Sequence, residues 1–274
     1  TSDTSAPGRF DLSRQDWVRD CLALTLAAVL ILLPIGLILL NGINLGLPRL
    51  LSRPQFWDAL VTSTHVALIS AVMVTALALL LAAAKADLSL PHRWGQIAGA
   101  RYLRVMMDQG VMLYLVIPSV VLGTAAFVLL RARGDIFGYA FGVVILANTL
   151  MALPFAYRLL EVRMTSLMAR HDRLAAQLGI HGMVRLQVLT LPALRQDLGL
   201  IAGLSAALSF GDLGVIALFA NADFRTLPWL LYQLSGKYAA DEANALAMLV
   251  MLLTVGLFLT ARFLTDCGLR GRHA

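Results

Sequence analysis

The sequence predicts an all-α membrane protein with six transmembrane helices, from its composition, its apolar runs and the placement of its basic residues. Of its 274 residues, 59% are apolar and 14% are charged, whereas a soluble domain is typically about one quarter charged. A helix that crosses a bilayer needs about 20 mostly apolar residues in succession, and six such runs are present. The lysines and arginines lie mainly between these runs, as expected for the loops of a membrane protein.

The six runs divide the chain into a polar start, a membrane domain and a short tail. The predicted spans are residues 21–40, 59–84, 110–130, 136–157, 198–220 and 243–264. Residues 1–18 contain Ser, Pro and Gly, and we expect them to be a cytoplasmic linker that continues from an earlier part of a longer chain. Residues 19–266 form the predicted membrane domain, and residues 267–274 form a cytoplasmic tail.

The basic residues set the predicted orientation, because cytoplasmic loops are enriched in Lys and Arg. With the N-terminus inside, sixteen of the 22 lysines and arginines fall on the cytoplasmic side and six fall outside. Both termini are therefore predicted to be cytoplasmic, with Arg173 inside and Arg225 outside. The long connection over residues 85–108 becomes a cytoplasmic segment, which we expect to lie at the membrane interface rather than to form a site.

Small and polar residues interrupt the third and fourth spans. Pro118, Ser119 and Gly123 occur in the third span, where they indicate either a bend that lines a pore or close packing of helices. Asn148 lies within the fourth span, where an amide needs a partner. It is predicted either to join two helices or to line a transport pathway.

Asp212 is an acidic residue well inside the fifth apolar run. An ionisable side chain within a membrane usually faces the interior of the bundle or a water-filled cavity. The sequence therefore favours Asp212 and Ser209 as residues of a translocation pathway, with Asn148 and Ser119 as further candidates. The alternative is a structural carboxylate that accepts hydrogen bonds from backbone N–H groups near Gly214.

A polar, basic stretch, residues 172–192, separates the fourth and fifth spans. Because glycine adopts positive φ without steric cost, Gly179 and Gly182 suit a tight bend. The apolar positions before them follow a helical period, and those after them form a shorter run that Pro192 closes. The prediction is a helix, a bend and a short helix that together project from the cytoplasmic surface.

This stretch resembles the EAA loop of ABC-transporter permeases. The family pattern is Glu-Ala-Ala, three residues, Gly, nine residues and then Ile-x-Leu-Pro. With Gly179 as the anchor, Ala175, Leu189, Leu191 and Pro192 fall in register. The resemblance implies the fold of a type I ABC importer permease (MetI-like).

The resemblance also implies a coupling loop, over residues 160–196, that docks into a groove on an ATPase subunit. Two positions depart from the family pattern: Arg173 stands where the family has Glu, and Leu174 stands where it has the first Ala. No ion pair of that glutamate therefore carries over to this chain.

Two further segments are similar to the second half of bacterial permeases for thiamine or thiamine pyrophosphate. They are LSFGDLGVIALF at residues 208–219 and DFRTLPWLLYQ at residues 223–233. The resemblance extends from the N-terminal linker through all six spans. It implies a bacterial inner-membrane importer with a second permease half, fused or separate, an ABC ATPase dimer and a periplasmic substrate-binding protein.

Other classes of function are disfavoured. The chain has no G-x-x-x-x-G-K-[ST] motif, so ATP and Mg²⁺ are expected on a partner, and neither a cofactor nor enzymatic activity is predicted here. The net charge of +6 lacks the aromatic–basic interleaving of a nucleic-acid binder. An ion-coupled secondary transporter normally needs more intramembrane charges, and an intramembrane protease needs a second carboxylate or a serine beside a base. An ABC permease for another solute, such as ferric iron or an organic ion, remains the alternative.

Overall fold

The computed structural model describes residues 14–89, 98–132, 134, 138–177, 182–221, 224–237 and 239–270, and nearly all of them are helical. The predicted all-α class is therefore confirmed. Within these ranges, four helical segments are long and apolar enough to cross a membrane. They are Trp17–Gly42, Pro54–Leu88, Ala140–Met168 and Ala240–Phe263.

The N-terminal part contains two long helices joined by a short one. They are α1 (Arg14–Gly42), α2 (Gly46–Leu51) and α3 (Pro54–Leu88). Asn44 fixes the bend after α1, because its Oδ1 accepts the Gly46 N–H at 2.7 Å and its Nδ2 donates to the Asp241 carbonyl at 3.1 Å. α3 begins at a proline, whose missing N–H is not needed in a first helical turn.

The predicted third span is divided into two helices, α4 (Ala98–Leu113) and α5 (Ser119–Arg131). The interruption of the third span that Pro118 and Ser119 predicted is therefore confirmed, and it divides residues 110–130 between two helices. Pro118 is extended, with φ −60° and ψ 144°. It also disfavours a helical backbone at the residue before it, so the helix stops ahead of it and restarts at Ser119.

α6 (Ala140–Gln177) joins the predicted fourth span to the first part of the 172–192 stretch. Its 38 residues exceed the roughly 20 that a bilayer requires. The predicted boundary at residue 157 is therefore not a helix end. Pro154 lies inside α6 without ending it.

After residues 178–181, which are outside the described residues, the chain is helical again. It forms α7 (Gly182–Arg185), a π-helical turn (Leu186–Thr190) and α8 (Leu191–Gly211). The sequence predicted that Pro192 closes a short helix. In the structure it lies instead in the first turn of α8, where proline is well tolerated. Gly182 begins α7 instead of forming a bend, and Gly179 is among the residues not described.

The predicted fifth span, residues 198–220, is also divided. α8 ends at Gly211, Asp212 is extended with φ −73° and ψ 130°, and a single turn, α9 (Ile216–Phe219), follows. α10 (Leu227–Gly236) and α11 (Ala240–Arg270) complete the described chain. Two of the six predicted spans are thus broken helices.

α3 lies at the centre of the packing. α6 and α8 pack against α3, α11 packs against α8, and α1 packs against α11. The buried face of α3 consists largely of small residues, including Ala59, Ser63, Ala67, Ala71, Ala78, Ala82 and Ala86. Small side chains allow close helix approach, which matters in a membrane because lipid is as apolar as the helices themselves.

Charged side chains collect at the two ends of this bundle. At one end, Arg53 Nη2 lies 2.8 Å from Glu242 Oε1 and joins the start of α3 to the start of α11. At the other end, Arg163 Nε lies 3.5 Å from Asp197 Oδ1 and joins α6 to α8. The Arg53–Glu242 pair thus joins two loops that were predicted to share one side of the membrane.

Candidate functional site

Three of the four residues predicted to line a pathway surround one cavity. Asn148, Ser209 and Asp212 line a space of about 270 Å³ beside α6 and the end of α8. The remaining lining residues are Met151, Ala152, Phe155, Leu208 and Gly211. A mainly apolar wall with a few convergent polar groups is typical of sites for small molecules.

The helical period of α6 and the end of α8 together build this cavity. Asn148, Met151 and Phe155 are three or four residues apart and therefore share one face of α6. α8 contributes Ser209 in its last turn. Asp212 follows that turn in extended backbone, so the break in the helix, rather than a continuous span, brings its carboxylate to the cavity.

The two predicted roles of Asp212 belong to different oxygen atoms. Oδ1 accepts a hydrogen bond from the Gly214 N–H at 3.2 Å, as the structural alternative expects. Oδ2 is buried and has no hydrogen-bond partner among the described residues. The carboxylate thus stabilises the helix break and still presents one acceptor.

Asn148 has the same divided character. Its Nδ2 donates to Ser209 Oγ at 2.7 Å and links α6 to α8. The side chain is buried, with 3% of the residue exposed, yet its Oδ1 has no partner among the described residues. Leaving a buried polar atom unpaired costs about 1–3 kcal/mol, so two such acceptors at one cavity call for an explanation.

Ser119, the fourth predicted residue, is not among the residues that line the cavity. It lies against Gly214, where a Cβ atom would be 2.2 Å from Ser119 Oγ. A Cβ at Gly123 would similarly lie 3.3 Å from the Cα of Val215. The breaks in the two divided spans therefore meet, and glycine permits this close approach.

Phe155, which the sequence did not single out, connects the cavity to a second, larger groove. The groove has a volume of about 590 Å³. Its lining residues are Met112, Leu115, Pro154, Phe155, Arg158, Leu159, Val162 and Arg163. Counting in helical steps from Asn148 would have indicated Phe155, but no polar atom drew attention to it.

An ion cluster lies at the two ends of the 85–108 connection, for which no site was predicted. Lys85 Nζ contacts Asp108 Oδ1 and Oδ2 at 2.5 and 2.6 Å, and it also donates to Glu161 Oε1. Tyr157 donates to Asp108 at 2.7 Å, and Arg158 lies 2.9 Å from Glu161 Oε2. Burial alone would raise the pKa of Asp108, but the hydrogen bonds from Lys85 and Tyr157 outweigh it and hold that pKa below its usual value. The cluster joins α3, α4 and α6.

The predicted coupling residues lie on both sides of the undescribed segment that contains Gly179. Arg173 and Leu174 belong to the last turns of α6, and Ala175 is buried, with 1% exposed. Leu189 lies in the π-helical turn, and Leu191 and Pro192 begin α8. A small cavity of about 60 Å³ lies between the end of α6 and the helical segments that follow the undescribed residues. It is lined by Leu189 and by five other residues of α6, α7, the π-helical turn and α8.

Comparison with known proteins gives close relatives of one kind. The chain is 37% identical over 239 residues to the thiamine transport system permease protein ThiP of Escherichia coli, which covers 87% of this chain and 43% of the relative. It is 36% identical to ThiP of Salmonella typhimurium over 93% of the chain and 45% of the relative. For ThiP of Brucella suis, the identity is 35% over 94% of the chain and 46% of the relative. The chain thus spans about half the length of these relatives.

The fold is also found among solved structures. A chain of the bacterial alginate ABC transporter, solved in complex with an alginate pentasaccharide-bound periplasmic protein, superposes with a TM-score of 0.62 at 15% identity. The match covers 92% of this chain and 94% of the other. No protein-family profile matches the chain. The chain therefore has several helices long and apolar enough to cross a membrane, the fold of an ABC-transporter permease, and sequence similarity to about half the length of bacterial thiamine transport permeases.

Proposed function

We propose that this chain is the membrane-spanning half of an ATP-driven, binding-protein-dependent importer of thiamine or its phosphate esters. Identity of 35% to 37% to thiamine transport permeases, over 87% to 94% of the chain, is the observation that carries this proposal. A second permease half, fused or separate, an ABC ATPase dimer and a periplasmic binding protein complete the proposed assembly. ATP and Mg²⁺ bind to the ATPase partner, and this chain holds neither.

The proposed mechanism is alternating access, in which ligands shift an equilibrium between two states of the whole assembly. ATP binding closes the ATPase dimer, and the projections formed by residues 172–192 move with it. α6 links this movement to the cavity, because one helix contains both Asn148 and the last described residue before the bend, Gln177. Pro154 lies between these two residues and is the position at which this helix is expected to bend.

The cavity and the groove that share Phe155 are the proposed lining of this half of the pathway. Together they follow one face of α6 from Asn148 to Val162, a distance of about 20 Å at 1.5 Å per residue. The part from Asn148 to Tyr157 lies in the predicted fourth span, and the part beyond it reaches the predicted coupling loop at residues 160–196. The exposed apolar side chains along it then face the transported solute or the second permease half.

The transport proposal is tested with the complete transporter reconstituted in proteoliposomes. We expect uptake of thiamine that requires ATP and the loaded binding protein. Binding proteins loaded with ferric iron or another organic ion should leave ATP hydrolysis at its basal rate. Stimulation by one of these instead of thiamine would assign the chain to another solute.

The coupling proposal is tested by Gly179→Asp, which adds a carboxylate at a proposed packed interface. We expect the variant permease to insert into the membrane and to lose co-purification with its ATPase. Normal co-purification together with wild-type uptake would contradict the coupling role.

The proposed orientation, with both termini in the cytoplasm, is tested by labelling with an impermeant thiol reagent in a variant without Cys21 and Cys267. Arg225→Cys should be labelled from outside, and His181→Cys should be protected in intact cells. The reverse pattern would invert the proposed topology.

A further inference from the structure

We propose, resting on the proposed transport of thiamine, that the cavity between Asn148 and Asp212 is a subsite for a flat heteroaromatic cation that carries an N–H donor. In this subsite the Asn148 amide oxygen accepts the hydrogen bond of the donor, the Asp212 carboxylate faces the positive charge, and Phe155 contacts the ring.

The unpaired atoms define the hydrogen-bonding character of the ligand. Asn148 Oδ1 and Asp212 Oδ2 are both buried and without partners among the described residues. Asn148 Oδ1 is an acceptor, since an amide oxygen offers lone pairs and no proton, and Asp212 Oδ2 is an acceptor when the carboxyl group is ionised. The group that satisfies them must therefore donate hydrogen bonds or carry positive charge.

The geometry around Asn148 selects which of its atoms is available. Its Nδ2 is used by Ser209 Oγ at 2.7 Å, which holds the amide plane between α6 and α8. The carbonyl oxygen remains for a ligand. Asp212 is held similarly, because Gly214 N–H occupies Oδ1 and leaves Oδ2.

The charge of the residues that line the cavity indicates the charge of the ligand. Among the residues that line the cavity, Asp212 is the ionisable one. The nearest described cation on the same face of α6 is Arg158, beyond Phe155 in the groove, and it is already 2.9 Å from Glu161 Oε2. A carboxylate within a membrane bundle, held without a basic partner, favours a cationic solute.

The apolar part of the wall defines the shape of the ligand. Phe155 is 52% exposed and offers a ring face to a cation, while Met151 offers a polarisable thioether that adapts to aromatic rings. A volume of about 270 Å³ is at the small end of ligand pockets. It accommodates one or two small rings rather than an oligosaccharide or a peptide.

Thiamine has these properties, because it combines a permanently cationic thiazolium ring with an aminopyrimidine that bears an exocyclic amine. Replacing that amine by an oxygen substituent turns the donor into an acceptor and keeps the size and the cationic ring. The pair of compounds therefore isolates the contact with Asn148.

The test measures equilibrium binding of thiamine and of this oxygen analogue to the permease–ATPase complex in nanodiscs, without the binding protein. Wild-type complex should bind thiamine about tenfold more tightly than the analogue. Asn148→Leu should reduce this preference to about unity, and Asp212→Asn should weaken binding of both compounds. Thr124→Val, which removes an exposed hydroxyl on α5, should retain the preference.

Equal binding of the two compounds by the wild-type complex would overturn the subsite, even if Asn148→Leu fails to fold. Retention of the preference in folded Asn148→Leu would also overturn it. Uptake of thiamine by the complete transporter, measured in parallel, separates failure of the subsite from failure of the transport proposal. Normal uptake with either of these binding results rejects the subsite alone.

Discussion

Two clusters of polar side chains along α6 differ in how many of their polar atoms have a hydrogen-bond or ion-pair partner. In the ion cluster, Lys85 contacts both Asp108 and Glu161, and Arg158 contacts Glu161. At the cavity, about three helical turns away along α6, Asn148 and Asp212 each keep a buried acceptor without a partner among the described residues. Paired charges stabilise a fold, whereas unpaired buried atoms oppose it and are commonly retained at functional sites. From this comparison we expect a stabilising role for the cluster, in line with the proposed ligand-binding role of the cavity.

Lys85→Met should cause the largest loss of stability, because it leaves Asp108 and Glu161 close together without their shared cation. Removing one partner of a buried ion pair costs about 3–5 kcal/mol, and the Lys85 side chain is 13% exposed. We expect the unfolding temperature of the purified protein to fall by about 10 °C, as measured by intrinsic fluorescence.

Two variants control this measurement. Lys85→Arg keeps the positive charge and should retain most of the stability. Lys85→Met combined with Glu161→Gln removes part of the repulsion and should recover part of the loss. If Lys85→Met alone unfolds at the wild-type temperature, the cluster has no stabilising role and the comparison fails.

Gly214→Ala should have the next largest effect, since the added Cβ would lie 2.2 Å from Ser119 Oγ and 3.2 Å from Ser119 Cβ. Overpacking of this kind costs about 1–3 kcal/mol. Gly211→Ala is the matched control, because its Cβ would meet nothing within 4 Å. Ser119→Gly in the Gly214→Ala background should restore stability, and an unchanged unfolding temperature in the double variant would contradict the steric explanation.

Asp108→Asn should cost less, about 1 kcal/mol, because Lys85 keeps its contact with Glu161. The pKa of Asp108 is lowered in the folded protein, so its charge stabilises the fold above the unfolded value of about 4. That contribution disappears as the pH falls through the lowered pKa. Unfolding temperatures should therefore differ by a constant amount between pH 8 and pH 5 and converge only below about pH 4. Convergence near pH 6 would show that another group is responsible.

Asn148→Leu combined with Ser209→Ala should have the smallest effect on stability, within about 0.5 kcal/mol. The pair removes one hydrogen bond and, with it, a buried unpaired oxygen, and deleting both partners together can be nearly neutral. Chemical denaturation measures this difference. A loss comparable to that of Lys85→Met would place Asn148 and Ser209 among the stabilising residues and remove the contrast between the two regions.

Sequence pattern predicted the helical class and the long spans, because about 20 apolar residues leave few alternatives in a bilayer. The interruption of the span over 110–130 was predicted from Pro118. The division of the span over 198–220 was not predicted, since hydropathy averages over the single residues at which a helix ends. The predicted span ran through Asp212, because hydropathy does not register its extended backbone or the hydrogen bond that its Oδ1 accepts from the Gly214 N–H.

The candidate site was predicted in part. Polar residues in apolar runs indicated Asn148, Ser209 and Asp212, and these three line one cavity. Phe155 was missed because an aromatic residue in an apolar run has no distinguishing chemistry. The ion cluster was missed because Lys85, Asp108 and Glu161 are far apart in sequence, and pairing across helices requires their packing to be known.

The π-helical turn at Leu186–Thr190 has a consequence for how the length of this region can vary. A turn with i→i+5 bonds accommodates one more residue than an α-helical turn, and the Thr190 hydroxyl donates to the Arg185 carbonyl at 3.3 Å within it. Deleting Gln187 would give this turn α-helical spacing and leave α8 in its present rotation, although Pro192 would then lie in the interior of one continuous α-helix. Deleting one residue further along α8, between Leu194 and Ser205, would instead rotate the following turns by about 100° and turn Ser209 away from Asn148. A single-residue deletion in the π-helical turn should therefore disturb the contact between Asn148 and Ser209 less than one in the helix that follows.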